Sequence, residues 1–315
     1  MRIVYFGTPE FAVGVLDAIL RSGHEVAAVV TAPDKPAGRG QTLQFSDVKK
    51  YAIANNLPIL QPEKLKAPEF VDALQKIGAD LFVVVAFRML PEVVYAMPPQ
   101  GTFNVHASLL PDYRGAAPIH HAIMNGETVT GVTTFFLNHN IDTGDIIAQK
   151  EVEIGPAETT GELYDRLMAA GAVLAVETIN SIENGTCRPH PQPEAQNSKP
   201  APKIFKEDTL INWDAPAEKI FNMIRGLSPF PCAYTRIKNI DGETLSLKCF
   251  RAAISDMKST SEPGTISVLS QKQLAVSTQN NQILIQNVQL QGKKPMEIAD
   301  FLRGFHLEKY INKLF

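Results

Sequence analysis

Cysteine is scarce in this 315-residue chain: Cys187, Cys232 and Cys249 are the only three. Their odd number, without the close pairing of metal sites, argues against a disulfide framework or a cysteine-based zinc centre. Reduced thiols in a cytoplasmic protein are the expectation. Long apolar runs are missing as well. The longest, residues 81–87, is far short of the roughly 20 residues a membrane helix needs and suits a buried strand. The chain enters a strand directly at RIVYFG, so no signal peptide is expected. The close glycine spacing of the dinucleotide fingerprint is absent too. Gly7 is followed by Thr8, Pro9 and Glu10, which deny a pyrophosphate close approach to the backbone and demote a nicotinamide or flavin oxidoreductase. Tryptophan occurs once, at Trp213, and is expected to anchor the junction between domains rather than to stack on a base. No sign of charge dominates, yet the net charge of −3 is unevenly spread. Residues 1–202 hold 15 Lys/Arg against 22 Asp/Glu and residues 203–315 hold 15 against 11. The second part is therefore the more basic, a face suited to nucleic acid or simply a mixed solvated surface.

What is present alternates between strands and helices. Residues 1–7, 24–31, 80–86 and 129–137 read as strands, and residues 11–21, 47–55, 68–77 and 160–182 as helices. This alternation predicts an α/β domain built on a doubly wound, mostly parallel sheet. Between residues 187 and 202 the chain becomes CRPHPQPEAQNSKPAP, proline-rich and without periodicity, as in an extended linker. A short helix over 215–225 and strand-like runs over 233–238, 244–251, 265–269, 274–277 and 282–288 follow. These predict a smaller β-barrel, OB-like, with a plain β-sandwich as the other arrangement. The expected boundaries are 1–188 for the first domain, 189–206 for the linker and 207–315 for the barrel.

Chemistry is expected in FNVHASLLPDYRGAAP, residues 103–118. Strand alternation over 101–107 puts Phe103 and Val105 on one face, and Asn104 and His106 on the other. An amide donor beside a titratable ring can hold an oxyanion and move a proton. A core histidine next to a structural asparagine is the equally available bland reading. A second strand runs into Asn140, Ile141 and Asp142 of GVTTFFLNHNIDTGDII, where an acid at a strand end can orient an imidazole or merely cap a turn.

These segments, with RIVYFGTPEFAV and PDKPAGRG, stand in the order and spacing of the folate-dependent formyltransferases, which the chain resembles along nearly all of its length. NVHASLLP and DTGD mark the transfer domain shared by that family. GTPEFA, PDKPAGRG and the later INW, RGLSPFP and GKKPM resemble its tRNA-modifying branch.

The resemblance implies a Rossmann-like formyltransferase domain and a formyl transfer from the co-substrate 10-formyltetrahydrofolate, with no metal. The acceptor it implies is the α-amino group of initiator methionyl-tRNA, giving N-formylmethionyl-tRNA for translation initiation by a cytoplasmic monomer. An α-amine has a pKa of roughly 7.7 to 8.0, so the acceptor needs alignment and oxyanion stabilisation more than activation. Asn104 is then the oxyanion donor, His106 the proton-transferring or oxyanion-stabilising group, and Asp142 the carboxylate that orients His106 or a water. Ser108, Leu109, Leu110 and Pro111 match the folate-contacting SLLP, and Phe87 with Arg88 would stand on the opposite wall. Phe11 would line the methionine pocket, with an ordinary helix-core role as the alternative. Lys35 and Arg39 would contact the tRNA acceptor end, and Lys248, Arg251, Lys293 and Lys294 its backbone.

Two stretches depart from the family pattern. Phe87-Arg88-Met89 replaces an aromatic residue followed by glycine, leaving Arg88 to meet a folate carboxylate or point to solvent. Leu137 to Asn140 replaces a Met-containing stretch ending in glycine, which sets His139 near His106 and Asp142 without the spacing of a known zinc site. The nearest competing function is a formyltransferase acting on an amino sugar nucleotide, and a further one is a nonenzymatic RNA-binding protein.

Overall fold

A computed structural model describes residues 1–37, 42–193 and 198–315. The chain forms two compact units, the first of Met1–Gly115, Val129–Glu153 and Tyr164–Pro200, the second of Ala116–Thr128, Ile154–Leu163 and Ala201–Phe315. Composition marks a boundary at the proline-rich stretch, whereas packing assigns two earlier segments to the second unit. The helix Pro118–Met124 is one of them, and its Met124 lies against the second unit's apolar core.

The first unit is built on the strands β1 (Arg2–Gly7), β2 (Glu25–Val30), β3 (Ile59–Leu60), β4 (Leu81–Val85), β5 (Thr102–His106), β6 (Val129–Phe136) and β7 (Ile146–Glu153) in the order β7-β6-β5-β4-β1-β2-β3. Neighbours from β5 to β3 are parallel, and β6 and β7 add antiparallel pairings. The alternation of strands and helices predicts this layout, and β1 and β4 are buried along nearly their whole length, as parallel strands covered on both faces must be. The strands β3 and β7 were without a signal: β3 has only two residues, and those of β7 are mostly exposed and polar and carry no core-facing alternation. In α1 (Glu10–Arg21) the buried residues Phe11, Ala12, Val15, Leu16 and Ile19 recur at helical spacing. In α2 (Asp47–Ala54) the Ser46 hydroxyl caps the start by accepting the Lys49 N–H. The helix α3 (Pro68–Ile77) opens on proline and stops at a left-handed Gly78. The order of the sheet reverses between β1 and β4, which opens a crevice at their carboxyl ends.

The second unit holds β8 (Ala233–Asn239), β9 (Thr244–Lys258), β10 (Ile266–Ser270), β11 (Gln273–Ser277), β12 (Asn281–Leu290) and β13 (Tyr310–Leu314). Their order is β10-β11-β12-β9-β8-β13. The expected barrel is present, as a strongly curled antiparallel sheet whose ends meet where Thr265 bridges Lys313 and the Leu314 N–H donates to the Gly264 carbonyl at 2.8 Å. A Cβ at Gly264 would stand 2.5 Å from the Leu314 oxygen, so this closure requires glycine. The closing strand β13 escapes sequence reading: its five residues, YINKL, offer too little alternation. Trp213 lies in the core of this unit, 4 % exposed, with its indole N–H donated to Thr235 Oγ1 at 2.9 Å. That core position replaces the junction role expected for it.

Candidate active site

Strand β5 lies between β4 and β6, with Asn104 beside Val84 and Phe135, and His106 beside Thr133. Val105 and its partner Thr134 face the helix Thr160–Glu183, where Thr134 Oγ1 lies 2.8 Å from Thr178 Oγ1. Asn104 and His106 consequently share the opposite face, as alternation requires. Phe135, on that face, packs edge-on to the His106 ring with centroids 6.5 Å apart.

His106 is 7 % exposed, and its Nε2 lies 2.8 Å from the Tyr113 carbonyl oxygen. A carbonyl only accepts, so Nε2 carries a proton and Nδ1 is the nitrogen left to gain or lose one. Nδ1 stands 3.9 Å from Asp142 Oδ2, which also accepts the Gly115 N–H at 2.9 Å. Tyr113 and Asp142 both have left-handed backbones, with φ of 61° and 53°. Such a conformation is costly for a side-chain-bearing residue and persists only where the surroundings enforce it. Asn104 is half-buried, and among the described residues nothing hydrogen-bonds its carboxamide. Its amide is therefore available to a ligand.

The loop after β5 is held from below by Thr133. Its hydroxyl donates to the Ser108 carbonyl at 2.6 Å and accepts from the Leu110 N–H at 3.1 Å and Gln149 Nε2 at 2.9 Å. Gln149 also donates to the Leu110 carbonyl at 3.0 Å. Ser108 is fully buried with its hydroxyl donated to the Asp112 carbonyl, and Leu110 packs on Phe135 and Ile146. Leu109 and Pro111 are half-buried. The side chains of Ser108 and Leu110, together with the Leu110 N–H, are thus spent on the loop's own shape.

On the far side, Ala86 ends β4 with φ of 46°. Phe87 sits edge-on to Phe6 at 5.7 Å, and Arg88 covers its ring while donating to the carbonyls of Glu63 at 3.0 Å and Pro62 at 2.7 Å. Arg88 thus braces two segments, with no acidic partner among the described residues. Phe11 is 5 % exposed against Tyr164 with ring centroids 5.4 Å apart, a packed position. Lys35 is exposed on a short strand, Lys35–Ala37, paired with Thr42–Gln44. Arg39 lies outside the described residues. His139 is exposed, and among the described residues no three His, Cys, Asp or Glu are grouped to hold a metal.

In the second unit, Lys248 lines a cavity of about 760 Å³ with Lys203, Lys206 and Arg236, and none of the described lining residues is acidic. Phe205 and Phe230, 57 % and 79 % exposed, stand on its wall. Burial pushes the lining Cys232 thiol up to about 12, which keeps it neutral. Arg251 is paired with Glu162, whereas Lys293 and Lys294 are exposed after β12. Sequence reading missed Lys203 and Lys206, because their partners Arg236 and Lys248 are brought to them only by the curl of the sheet. It also missed Gln149 and Gln192, since neither lies in a recognisable motif.

A switch-point sheet with this strand-end constellation, followed by a small barrel, is the architecture of the formyl transferases, and the chain belongs to that family. Residues 1–179 match Formyl transferase and residues 203–306 match Formyl transferase, C-terminal domain. It is 48 % identical to the methionyl-tRNA formyltransferase of Bacteroides fragilis over 98 % of this chain and 96 % of that one. Its fold is similar to HypX of Aquifex aeolicus solved with tetrahydrofolic acid, at a TM-score of 0.63 and 18 % identity over 96 % of this chain, which spans about half of HypX at 47 %. It is also similar in fold to the N-formyltransferase of Helicobacter canadensis solved with folinic acid and dTDP-3-aminofucose, at a TM-score of 0.61 and 21 % identity over 90 % of this chain and 98 % of that one.

Proposed function

We propose that the protein transfers the formyl group of 10-formyltetrahydrofolate to the α-amino group of initiator methionyl-tRNA, giving N-formylmethionyl-tRNA. The observation that carries this reading is the unpartnered Asn104 carboxamide beside a histidine whose free nitrogen faces a carboxylate. The co-substrate supplies an activated one-carbon group, and the residues present suit it: a polar donor without a partner at the sheet's carboxyl edge, next to an apolar wall of Phe6, Phe87 and Leu137.

Asn104 donates an N–H to the formyl oxygen as negative charge develops there. His106 takes up the proton of the attacking amine at Nδ1, since Nε2 is held by Tyr113, and returns it to the leaving nitrogen. Asp142 stabilises the imidazolium from 3.9 Å, directly or through a water. The backbone of residues 108–111 reads the edge of the pterin, Phe87 and Arg88 stand on its other side, and Phe11 borders the methionine side chain. Residues 1–188 act as the catalytic domain, 189–206 as linker and 207–315 as the tRNA-binding domain of a cytoplasmic monomer.

Acceptor binding draws on Lys35, Arg39, Lys248, Arg251, Lys293 and Lys294, joined by Lys203, Lys206 and Arg236. A cavity with cationic walls and exposed aromatic rings suits a single-stranded tRNA end, whose phosphates need charge and whose bases stack. Affinity of this kind resides in a different unit from the transfer residues. The test is incubation with 10-formyltetrahydrofolate and, in separate reactions, methionyl initiator tRNA, methionyl elongator tRNA or an amino sugar nucleotide. Formylation of the initiator tRNA is expected, and formylation of the sugar alone overturns the reading.

A further inference from the structure

Residues 187–193 lie in a stretch whose composition reads as a passive linker, yet one side chain in it reaches the catalytic loop. His190 bridges Ile146, each N–H donating to the other's carbonyl at 2.9 and 3.0 Å, which fixes the stretch in register beside β7. Two residues later, Gln192 donates its Nε2 to the carbonyl of Asp142 at 2.9 Å and to that of Gly144 at 2.8 Å. Its Oε1 accepts from Arg114 Nε at 3.1 Å and from Arg114 Nη2. Every strong hydrogen-bonding position of the amide is therefore used, and the reverse orientation would set its oxygen against two carbonyls and its NH₂ against a guanidinium. Pro191 and Pro193 flank Gln192 and restrict the backbone on both sides, so little freedom is lost on holding it.

The loop so held carries strained backbone beside its own hydrogen bonds from Asn140 and Thr143 to Asn138 Oδ1. Asp142 has a left-handed backbone, φ 53°, and its carboxylate reaches Gly115, the residue next to Arg114. The segments 114–115 and 142–144 are thus tied twice, directly through Gly115 and Asp142, and indirectly through Arg114 and Gln192. We infer that Gln192 is a positioning residue: it clamps the Asp142–Gly144 backbone so that the Asp142 carboxylate stays beside His106 Nδ1. This rests on the role proposed above for Asp142.

The test is a double-mutant cycle on the full chain. Gln192→Glu keeps the shape and the Arg114 contact but removes both donors to the loop carbonyls. A kcat about tenfold or more below wild type is expected, because misplacing a reacting group by an ångström can cost on the order of 100-fold. KM for both substrates should stay within twofold, and the thermal midpoint close to wild type. In an Asp142→Ala background the same change should cost nothing further. Arg114→Met, which frees Gln192 Oε1, provides a second variant and should give a smaller loss of the same kind. Wild-type kcat in Gln192→Glu, or an undiminished loss in the Asp142→Ala background, overturns the inference while leaving the role of Asp142 intact. Wild-type turnover of Asp142→Ala by itself overturns both.

Discussion

Asn104 differs from the other polar residues of its segment in having its side chain uncommitted: Ser108, Thr133, Gln149 and His106 all spend theirs on neighbouring backbone or side chains. Removing the amide should therefore leave folding alone and act on the reaction. Asn104→Ala is expected to lower kcat about 10²- to 10³-fold, the usual loss for one oxyanion donor, with an unchanged thermal transition, and single-turnover rates at saturating substrates check it. Ala86 illustrates the opposite trade, a residue strained where β4 ends. It is exposed with φ of 46°, so glycine sacrifices no packing there. Ala86→Gly should raise stability by about 0.5 to 1 kcal/mol, read as a higher urea midpoint at constant slope. Alternation alone placed Asn104 and His106 on one face. It could not reveal that Tyr113 takes His106 Nε2, because a carbonyl turned by a left-handed φ leaves no trace in residue type.

Elements carry the constraint that brings Asp142 to His106. Gly144 passes so close under β6 that a Cβ there would lie 1.6 Å from the Phe136 oxygen. Since that neighbour is backbone and cannot swing aside, Gly144→Ala must displace the loop. A loss of roughly 2 to 4 kcal/mol is expected, in the range of severe steric substitutions, together with a fall in kcat; calorimetry and initial rates measure the two. In the second unit, the helix Pro118–Met124 presents His120, whose Nε2–H donates to the Phe230 carbonyl at 3.1 Å. Burial holds this imidazole below its ordinary pKa, with that hydrogen bond opposing and His121 adding to the shift. A pKa lowered on folding means that the native state resists the proton, so His120 costs no stability above about pH 6.5 and costs progressively more below it. The thermal midpoint should drop between pH 7 and pH 5.5, and His120→Asn should shrink that drop.

At the scale of the whole molecule, the excess of positive charge beyond residue 203 acquires a location. Lys203, Lys206, Arg236 and Lys248 come from separate parts of the sequence and meet around one cavity in the second unit. Phosphate contacts release counterions, so the logarithm of the affinity for methionyl-tRNA should fall linearly with that of salt. Lys206→Ala and Lys248→Ala should each reduce the slope by about 0.7 to 0.9. Their kcat at saturating tRNA should match wild type, and an unchanged slope in both variants removes the cavity from the tRNA path. The family itself was legible from motifs spread over both units, NVHASLLP and DTGD in one and RGLSPFP and GKKPM in the other.

By itself the sequence determined whatever depends on near neighbours along the chain. That covers the buried parallel strands, the amphipathic helices with their caps, the shared face of Asn104 and His106, and the alternation that makes the first unit doubly wound. Tertiary structure alone decided the pairings across long separations. The 3.9 Å approach of Asp142 to His106, the clamp of Gln192 on the Asp142 loop, the closure of the barrel by Tyr310–Leu314 and the gathering of four cations belong here. Periodicity and propensity act over a few residues. Which distant side chains then meet is set by strand register and loop path, and these follow from the packing of the whole unit.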